Sequence, residues 1–178
     1  MDNVLMNYTE SIIKSMSLLS KNKKTIFIGQ SVKYPGNLIF KTLKHIPKNK
    51  KIEMPVLEDV QMGMAIGLAL NGYLPVACYP RFDFLLLGFN QLINHLDKFK
   101  AMTSNRYNPK VIIRVLVGSK TPLDAGPQHT QDYSRPLKII FSNVDVYRMT
   151  STSSVLESYK KAIKSNKSSL MVEYSNKI

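Results

Sequence analysis

At 178 residues, with 44% hydrophobic and 21% charged side chains, the chain is long and apolar enough to bury one ordinary domain core. This composition excludes an intrinsically disordered chain, and no apolar run approaches the ~20 residues that a membrane-spanning helix needs. The formal charge of +13 comes from 20 lysines and five arginines, and because base reading favours arginine, it does not predict nucleic-acid binding.

Segments with helical periodicity alternate with short apolar runs along the whole chain. The predicted helices cover residues 3–19, 37–46, 57–70, 83–102, 135–141 and 152–165. The predicted strands cover residues 25–29, 51–54, 74–79, 110–117, 144–149 and 169–174. This alternation predicts an α/β fold with three layers, α/β/α, a mainly parallel sheet and right-handed crossovers. Without a repeat or a linker, residues 1–178 are predicted to form a single domain.

The cellular compartment is predicted from two features. The N-terminus lacks the basic start and apolar block of a secretory signal. Cys78 is the one cysteine of the chain, so neither a disulfide framework nor a zinc motif is expected. We therefore expect a cytoplasmic protein.

Ligands of parallel α/β sheets bind beyond the carboxyl ends of the strands. Three segments follow predicted strands there, at residues 55–59, 80–84 and 118–134. The candidate site residues on them are Glu58, Arg81, Phe82, Phe84, Gln128 and His129. From the residues alone, Glu58 and Asp59 also fit a simple helix start, because acidic side chains are favoured in a first turn.

Several familiar sites are excluded by their missing motifs. The chain has no GxxxxGK[ST] loop, no GxGxxG after a strand and no GxSxG elbow. Its three histidines are too scattered to predict a metal cluster, so no metal ligands are expected on this chain. The glycines Gly63 and Gly67 lie within a predicted helix and indicate close packing. The sequence thus offers no evident diphosphate site of its own.

Four segments in order resemble one known family. They are VLEDVQMGMAIGLALNGYLPVACYPRFDF, FNQLINHLDKFKAMTSN, VIIRVLVG and GPQHTQ. Together they resemble the pyrimidine-binding domain of thiamine-diphosphate enzymes, in the transketolase group and the beta subunits of 2-oxo-acid dehydrogenases. The resemblance covers residues 8–174, nearly the whole chain.

The resemblance implies roles for individual residues. Glu58 matches the family glutamate that hydrogen-bonds the aminopyrimidine of the cofactor and so activates it, a form of general acid–base catalysis. Phe84 matches the aromatic residue that stacks on the pyrimidine ring, and Phe82 is a neighbouring candidate for which core packing is an equal alternative. His129 matches the active-site histidine of the beta subunits, which handles protons on the substrate side.

Arg81 departs from the family pattern. An arginine at this point suits a substrate carboxylate or phosphate, or an acid on a partner subunit, and simple solvent exposure is equally open. Gln128 is a second residue predicted to lie on the substrate side.

The same resemblance implies a divided active site. The family binds the diphosphate and its Mg²⁺ on a separate domain with a GDG…N segment, which this sequence lacks. We therefore expect thiamine diphosphate to be shared with a separate phosphate-binding subunit that holds Mg²⁺, in an α2β2 assembly. Self-association is also open, and neither nucleic acid nor membrane is an expected partner. The alternative is a non-catalytic module of this fold that serves assembly or regulation.

Overall fold

The computed structural model describes residues 6–121 and 124–178, so residues 3–5 of the first predicted helix lie outside it. In this part of the chain one sheet contains six strands, in the order β2-β1-β3-β4-β6-β5. Their bounds are β1 Thr25–Gly29, β2 Lys51–Glu53, β3 Leu74–Tyr79, β4 Ile112–Val117, β5 Val144–Arg148 and β6 Ser168–Tyr174. Each neighbouring pair is parallel, which confirms the predicted α/β class and makes the described sheet wholly parallel.

Helices cover both faces of the sheet, as the alternation predicted. Their bounds are α1 Tyr8–Ser20, α2 Leu38–Leu43, α3 Glu58–Leu70, α4 Phe82–Leu85, α5 Phe99–Met102, α6 Ser134–Ile140 and α7 Thr152–Lys164. Side chains of α1, α2 and α7 share a core with Ile112, whereas those of α3 and α4 share the opposite core with Ile113. The alternation along β4 thus separates two apolar layers. None of the helices in the described ranges combines the length and hydropathy of a membrane span.

The first helix begins at Tyr8, five residues after the predicted start at residue 3, and Asn7 is its N-cap. The Asn7 side chain accepts a hydrogen bond from the Glu10 backbone N–H at 2.9 Å, and Glu10 accepts one from the Asn7 N–H at 2.8 Å. This reciprocal pair satisfies backbone donors that the helix leaves free, so it fixes the start of α1 at Tyr8.

The prediction of one regular helix over residues 83–102 is wrong. The segment consists of α4, a 3-10 turn Leu86–Gly88, a π-helix Asn90–Leu96 and α5. Gly88 lies so close to α3 that an added Cβ would stand 3.2 Å from the Glu58 carbonyl oxygen. The hydrophobic spacing placed Leu92 and Leu96 correctly on the buried face, but it also placed Leu86 there, which is exposed. Such spacing carries no signal for a change in helical winding where two backbones meet.

A buried ion pair lies at the centre of the sheet, where the sequence predicted an apolar strand. Arg114 of β4 donates from Nε and Nη2 to both carboxylate oxygens of Glu173 on β6, at 2.6 and 2.8 Å. Thr42 and Tyr159 complete this cluster from α2 and α7. Burial by itself lowers the pKa of Arg114, but Glu173 and Tyr159 outweigh it and raise that pKa, so the guanidinium stays charged.

Candidate functional site

The predicted site residues gather where the strand connections change direction. β1 has β2 on one side and β3 on the other, so the connections that leave β1 and β2 run to opposite edges of the sheet. Such a switch point opens a crevice beyond the carboxyl ends of the strands. Glu58 follows β2, Arg81 to Phe84 follow β3, and the loop with His129 follows β4.

Glu58 is the first residue of α3 and its side chain is buried, with 4% of the residue exposed. The amide of Gln30 donates to Glu58 Oε1 at 2.9 Å, and the Tyr79 hydroxyl donates to the Glu58 carbonyl oxygen at 3.2 Å. Within residues 6–121 and 124–178 no ion pair includes Glu58. A buried carboxylate with one donor has acceptor capacity left for a ligand.

Gln30 is a site residue that the sequence interpretation missed. It comes directly after the carboxyl end of β1, a position that marks it as a candidate by the same rule that selected the other segments. Its loop is held by Glu53, which accepts hydrogen bonds from the backbone N–H groups of Ser31 and Lys33. Gln30 therefore reaches Glu58 from a fixed backbone.

Phe84 and His129 are in direct contact. Their ring centroids lie 5.4 Å apart with an interplanar angle of 79°, an edge-to-face pair. Asp83 supports the His129 loop because it accepts hydrogen bonds from the Gln131 backbone N–H at 3.4 Å and the Tyr133 hydroxyl at 3.2 Å. Burial, with the Asp83 charge second, raises the pKa of Tyr133, so this hydroxyl stays protonated as a donor.

Gly118 lets the His129 loop lie against the end of β4. A Cβ built on Gly118 would overlap the carbonyl oxygen of His129, so only glycine leaves room for this approach. The backbone of the His129 loop is thus positioned by direct contact with the sheet.

A cavity of about 430 Å³ lies beside Phe84. Gln128 borders it, and its remaining wall consists of Asp83, Leu86, Leu87, Pro127 and Tyr133. Glu58 does not line this cavity, although it lies at the same edge of the sheet. The structure therefore brings Phe84 into contact with His129 and places Gln128 on the same cavity as Phe84, whereas Glu58 is not among the residues of that cavity.

Two other predicted residues, Arg81 and Phe82, do not line the cavity beside Phe84. Phe82 is fully buried and packs edge-to-face on Tyr133 with centroids 5.5 Å apart, so the structure favours its core-packing interpretation. Arg81 borders a separate cavity of about 300 Å³ together with Gly118 and Ser119. A cavity of about 580 Å³ between the starts of α1 and α7 borders none of the predicted residues. Size alone therefore does not locate the site.

Glu58 and Phe84 are of the residue types that would hold the pyrimidine end of a heteroaromatic cofactor, a buried carboxylate for a ring nitrogen and an aromatic wall for the ring. Glu58 itself does not line the cavity beside Phe84. In the described ranges no group of three or more histidine, cysteine, aspartate or glutamate side chains is arranged to hold a metal ion.

Fold and site residues together define an α/β domain whose candidate site lies at the carboxyl edge of a parallel sheet. A family comparison agrees: the model described as transketolase, pyrimidine binding domain, matches residues 11–177. The chain belongs to this family.

The chain shares only about a quarter of its residues with an individual relative in the aligned region. The pyruvate dehydrogenase E1 component subunit beta of Cyanidium caldarium is 26% identical over 163 residues, which are 88% of this chain and 48% of the relative. The chain thus spans about half the length of that relative.

Two solved structures share the fold. Transketolase from Campylobacter jejuni has a TM-score of 0.74 at 14% identity, over 95% of this chain and 26% of its own. A structure titled "Split gene transketolase, inactive beta4 tetramer" has a TM-score of 0.65 at 18% identity, over 94% of this chain and 49% of its own. At these identities the likeness concerns the fold alone.

Proposed function

We propose that this chain is the pyrimidine-binding subunit of a thiamine-diphosphate-dependent enzyme, with a transketolase-like or 2-oxo-acid-decarboxylating activity. The observation that carries the proposal is the buried carboxylate of Glu58, which begins α3 and has a single donor, Gln30, in the described part of the chain. A carboxylate in this setting shares a proton readily with a basic ring nitrogen, because few competing groups satisfy it.

Each site residue has a defined task in this proposal. Glu58 holds a proton against the pyrimidine nitrogen, and Gln30 donates to Glu58 Oε1 at 2.9 Å, which leaves Oε2 without a donor among the described residues. Phe84 packs on the pyrimidine ring. His129, held edge-on against Phe84, exchanges a proton with the substrate. The bound cofactor supplies the electron sink for breaking a bond next to a carbonyl group.

The phosphate end of the cofactor needs a second set of residues. The sequence contains no GDG…N segment, so the groups that hold the diphosphate and Mg²⁺ come from outside these 178 residues. We propose a separate phosphate-binding partner and an α2β2 assembly. The name of the Cyanidium relative, a subunit beta of an E1 component, supports this arrangement.

The experiment is to purify the native complex, identify the partner in it, and reconstitute the complex from that partner and either the native chain or the Glu58→Gln variant. Glutamine keeps the size and the Gln30 contact but cannot supply the proton, so turnover is expected to fall roughly 10²- to 10⁴-fold. Glu157→Gln is the matched control, because Glu157 is an exposed residue of α7 and its loss should leave turnover unchanged. Unchanged turnover in Glu58→Gln would remove Glu58 from catalysis.

The same experiment distinguishes a catalytic subunit from the alternative, a non-catalytic module that serves assembly or regulation. If the partner binds the native chain stably but no combination of partner, thiamine diphosphate and Mg²⁺ gives turnover, the chain serves assembly or regulation. Removal of Mg²⁺ by a chelator should abolish turnover of an active complex, and readdition should restore it, because the metal neutralises the diphosphate.

A further inference from the structure

A basic cavity lies between α6 and the edge strand β5. It measures about 280 Å³ and is lined by Ser134, Arg135 and Lys138 of α6 and by Val146 and Arg148 of β5. Residues three apart on a helix share one face, as do residues two apart on a strand, so the spacing in the sequence brings these side chains together. The cavity shares no lining residue with the one beside Phe84.

Two of the three cations in this wall have no acidic partner. In the part of the chain that the structure describes, no ion pair includes Arg135 or Lys138. Arg148 donates from Nε to the Tyr174 hydroxyl at 3.1 Å and from Nη2 to the Asp132 carboxylate at 3.3 Å, and neither bond uses Nη1. Asp132 therefore offsets only one of the three positive charges, and the cavity stays positive.

A buried hydroxyl completes the polar part of the wall. Ser134 is 1% exposed, and its Oγ has no hydrogen-bond partner among the described residues. The Asp132 carboxylate is close to it and accepts from the Ser134 backbone N–H at 2.9 Å, but the hydroxyl does not meet hydrogen-bond geometry with that carboxylate. Buried polar groups are nearly always paired, so this hydroxyl marks a place where a ligand atom can complete the bonding.

The chemistry of the wall fits a phosphate group better than a carboxylate. Guanidinium groups match pairs of oxygen atoms, an ammonium group adds a point charge, and a hydroxyl donates one more hydrogen bond. A phosphate monoester carries about −1.5 to −2 charges at neutral pH and three acceptor oxygens, so it can contact donors from α6 and β5 together. A carboxylate has one charge and two oxygens for the same set of donors.

We propose that this cavity, the α6–β5 site, binds the phosphate group of a small molecule, either inorganic phosphate or a phosphate monoester, at a place separate from the candidate active site. The proposal is independent of the proposed function, because neither Glu58 nor a cofactor takes part in it. Ser134 directly follows Tyr133, which borders the cavity beside Phe84. An anion bound in the α6–β5 site therefore lies at the end of the loop that carries His129.

The first test is a titration of the full ¹⁵N-labelled chain, at constant ionic strength, with inorganic phosphate, glycerol phosphate and glycerol. The arginine Nε–H signals of Arg135 and Arg148, followed by NMR, should shift with saturation for both phosphates and stay unchanged with glycerol. The phosphate that binds more tightly identifies the ligand between the two sources.

Arg135→Gln should weaken phosphate binding at least about tenfold, since a charge-assisted hydrogen bond is lost. Arg106→Gln is the matched control, because Arg106 is exposed and precedes β4 at the opposite edge of the sheet, and it should bind phosphate as the native chain does. Equal binding by Arg135→Gln and the native chain would indicate an adventitious ion only and would overturn the proposal.

The second test shows whether the Ser134 hydroxyl serves a ligand or Asp132. Without phosphate, Ser134→Ala should unfold at the same temperature as the native chain or above it, because an unpartnered buried hydroxyl is removed. With phosphate at about ten times its Kd, the Tm of the native chain should rise and that of Ser134→Ala should rise much less. A lower Tm of Ser134→Ala without phosphate, combined with a native response to phosphate, would assign the hydroxyl to Asp132 and reject its role in the site.

Discussion

Gly118 sets how closely the His129 loop approaches the sheet. The absence of a side chain matters because the space a Cβ would take is occupied by the His129 carbonyl oxygen. Catalysis by proton transfer requires heavy atoms within hydrogen-bond reach, so a small displacement of this loop has a large effect. In the proposed function Gly118 thus affects the reaction through the position of His129.

We expect Gly118→Ala to reduce turnover of the reconstituted complex by roughly 10²-fold, because a displacement of about 1 Å can cost that much. Overpacking should also lower the free energy of unfolding by about 1–3 kcal/mol. The turnover of the reconstituted complex and urea unfolding of the chain measure these two effects, and the His129 imidazole NMR signals report the displacement of the loop. Gly67→Ala is the control for the substitution: its Cβ meets nothing within 4 Å in α3, so it should stabilise the isolated chain by about 0.5–1 kcal/mol. Native turnover in Gly118→Ala would contradict the positioning role.

Helix α3 presents an exposed apolar stripe next to the buried Glu58. Leu57, Val60 and Met64 recur at helical spacing and are 51%, 47% and 41% exposed. Gly67 continues this stripe with open space around it. An exposed apolar stripe beside Glu58, the proposed catalytic residue, is the expected docking surface for the partner that we propose.

We expect Met64→Lys to weaken reconstitution with the partner at least about tenfold, since a charge in an apolar interface must be desolvated. The free energy of unfolding of the isolated chain should barely change, because the side chain is already in water. Ile139→Lys is the control, as Ile139 is 86% exposed on α6, away from the stripe. Titration calorimetry with the purified partner measures both variants, and equal binding by Met64→Lys and the native chain would exclude the stripe as the interface.

The sequence predicted the described strands to within two residues at each end, because short apolar runs bounded by turn residues have the length typical of buried strands. It failed between residues 83 and 102, where packing of Gly88 against α3 decides the winding. Glu58, Phe84 and His129 were selected on local motifs, and their burial and contacts followed from the order of the strands. Gln30 has no motif around it, so its contact with Glu58 appears only in three dimensions.

The buried pair of Arg114 and Glu173 connects the centre of the sheet to two of the helices that cover one face. It joins two adjacent strands, and Thr42 and Tyr159 connect it to helices α2 and α7. Both charged side chains have no exposed surface. Such a pair need not add stability relative to an apolar core, but breaking it leaves one charge buried without compensation.

We therefore expect Glu173→Gln to lower the free energy of unfolding by about 3–5 kcal/mol. Chemical denaturation at neutral pH measures this change. The same substitution at Glu157 removes an ion pair with Lys161 that is exposed on both sides, so stability should hardly change. A native-like stability of Glu173→Gln would show that Arg114 finds another partner.

The order of strands also constrains when the fold can form during synthesis. β6 lies between β4 and β5 in the sheet. The central strand β4 and the edge strand β5 therefore cannot complete their pairing until β6, which is synthesised after both, is available. Tyr8, near the start of α1, donates to the Met149 carbonyl oxygen and accepts from the Tyr174 N–H. A chain emerging from the ribosome therefore carries an open sheet edge at β4 and an unfinished core until β6 is exposed, and we expect it to depend on chaperones up to that point.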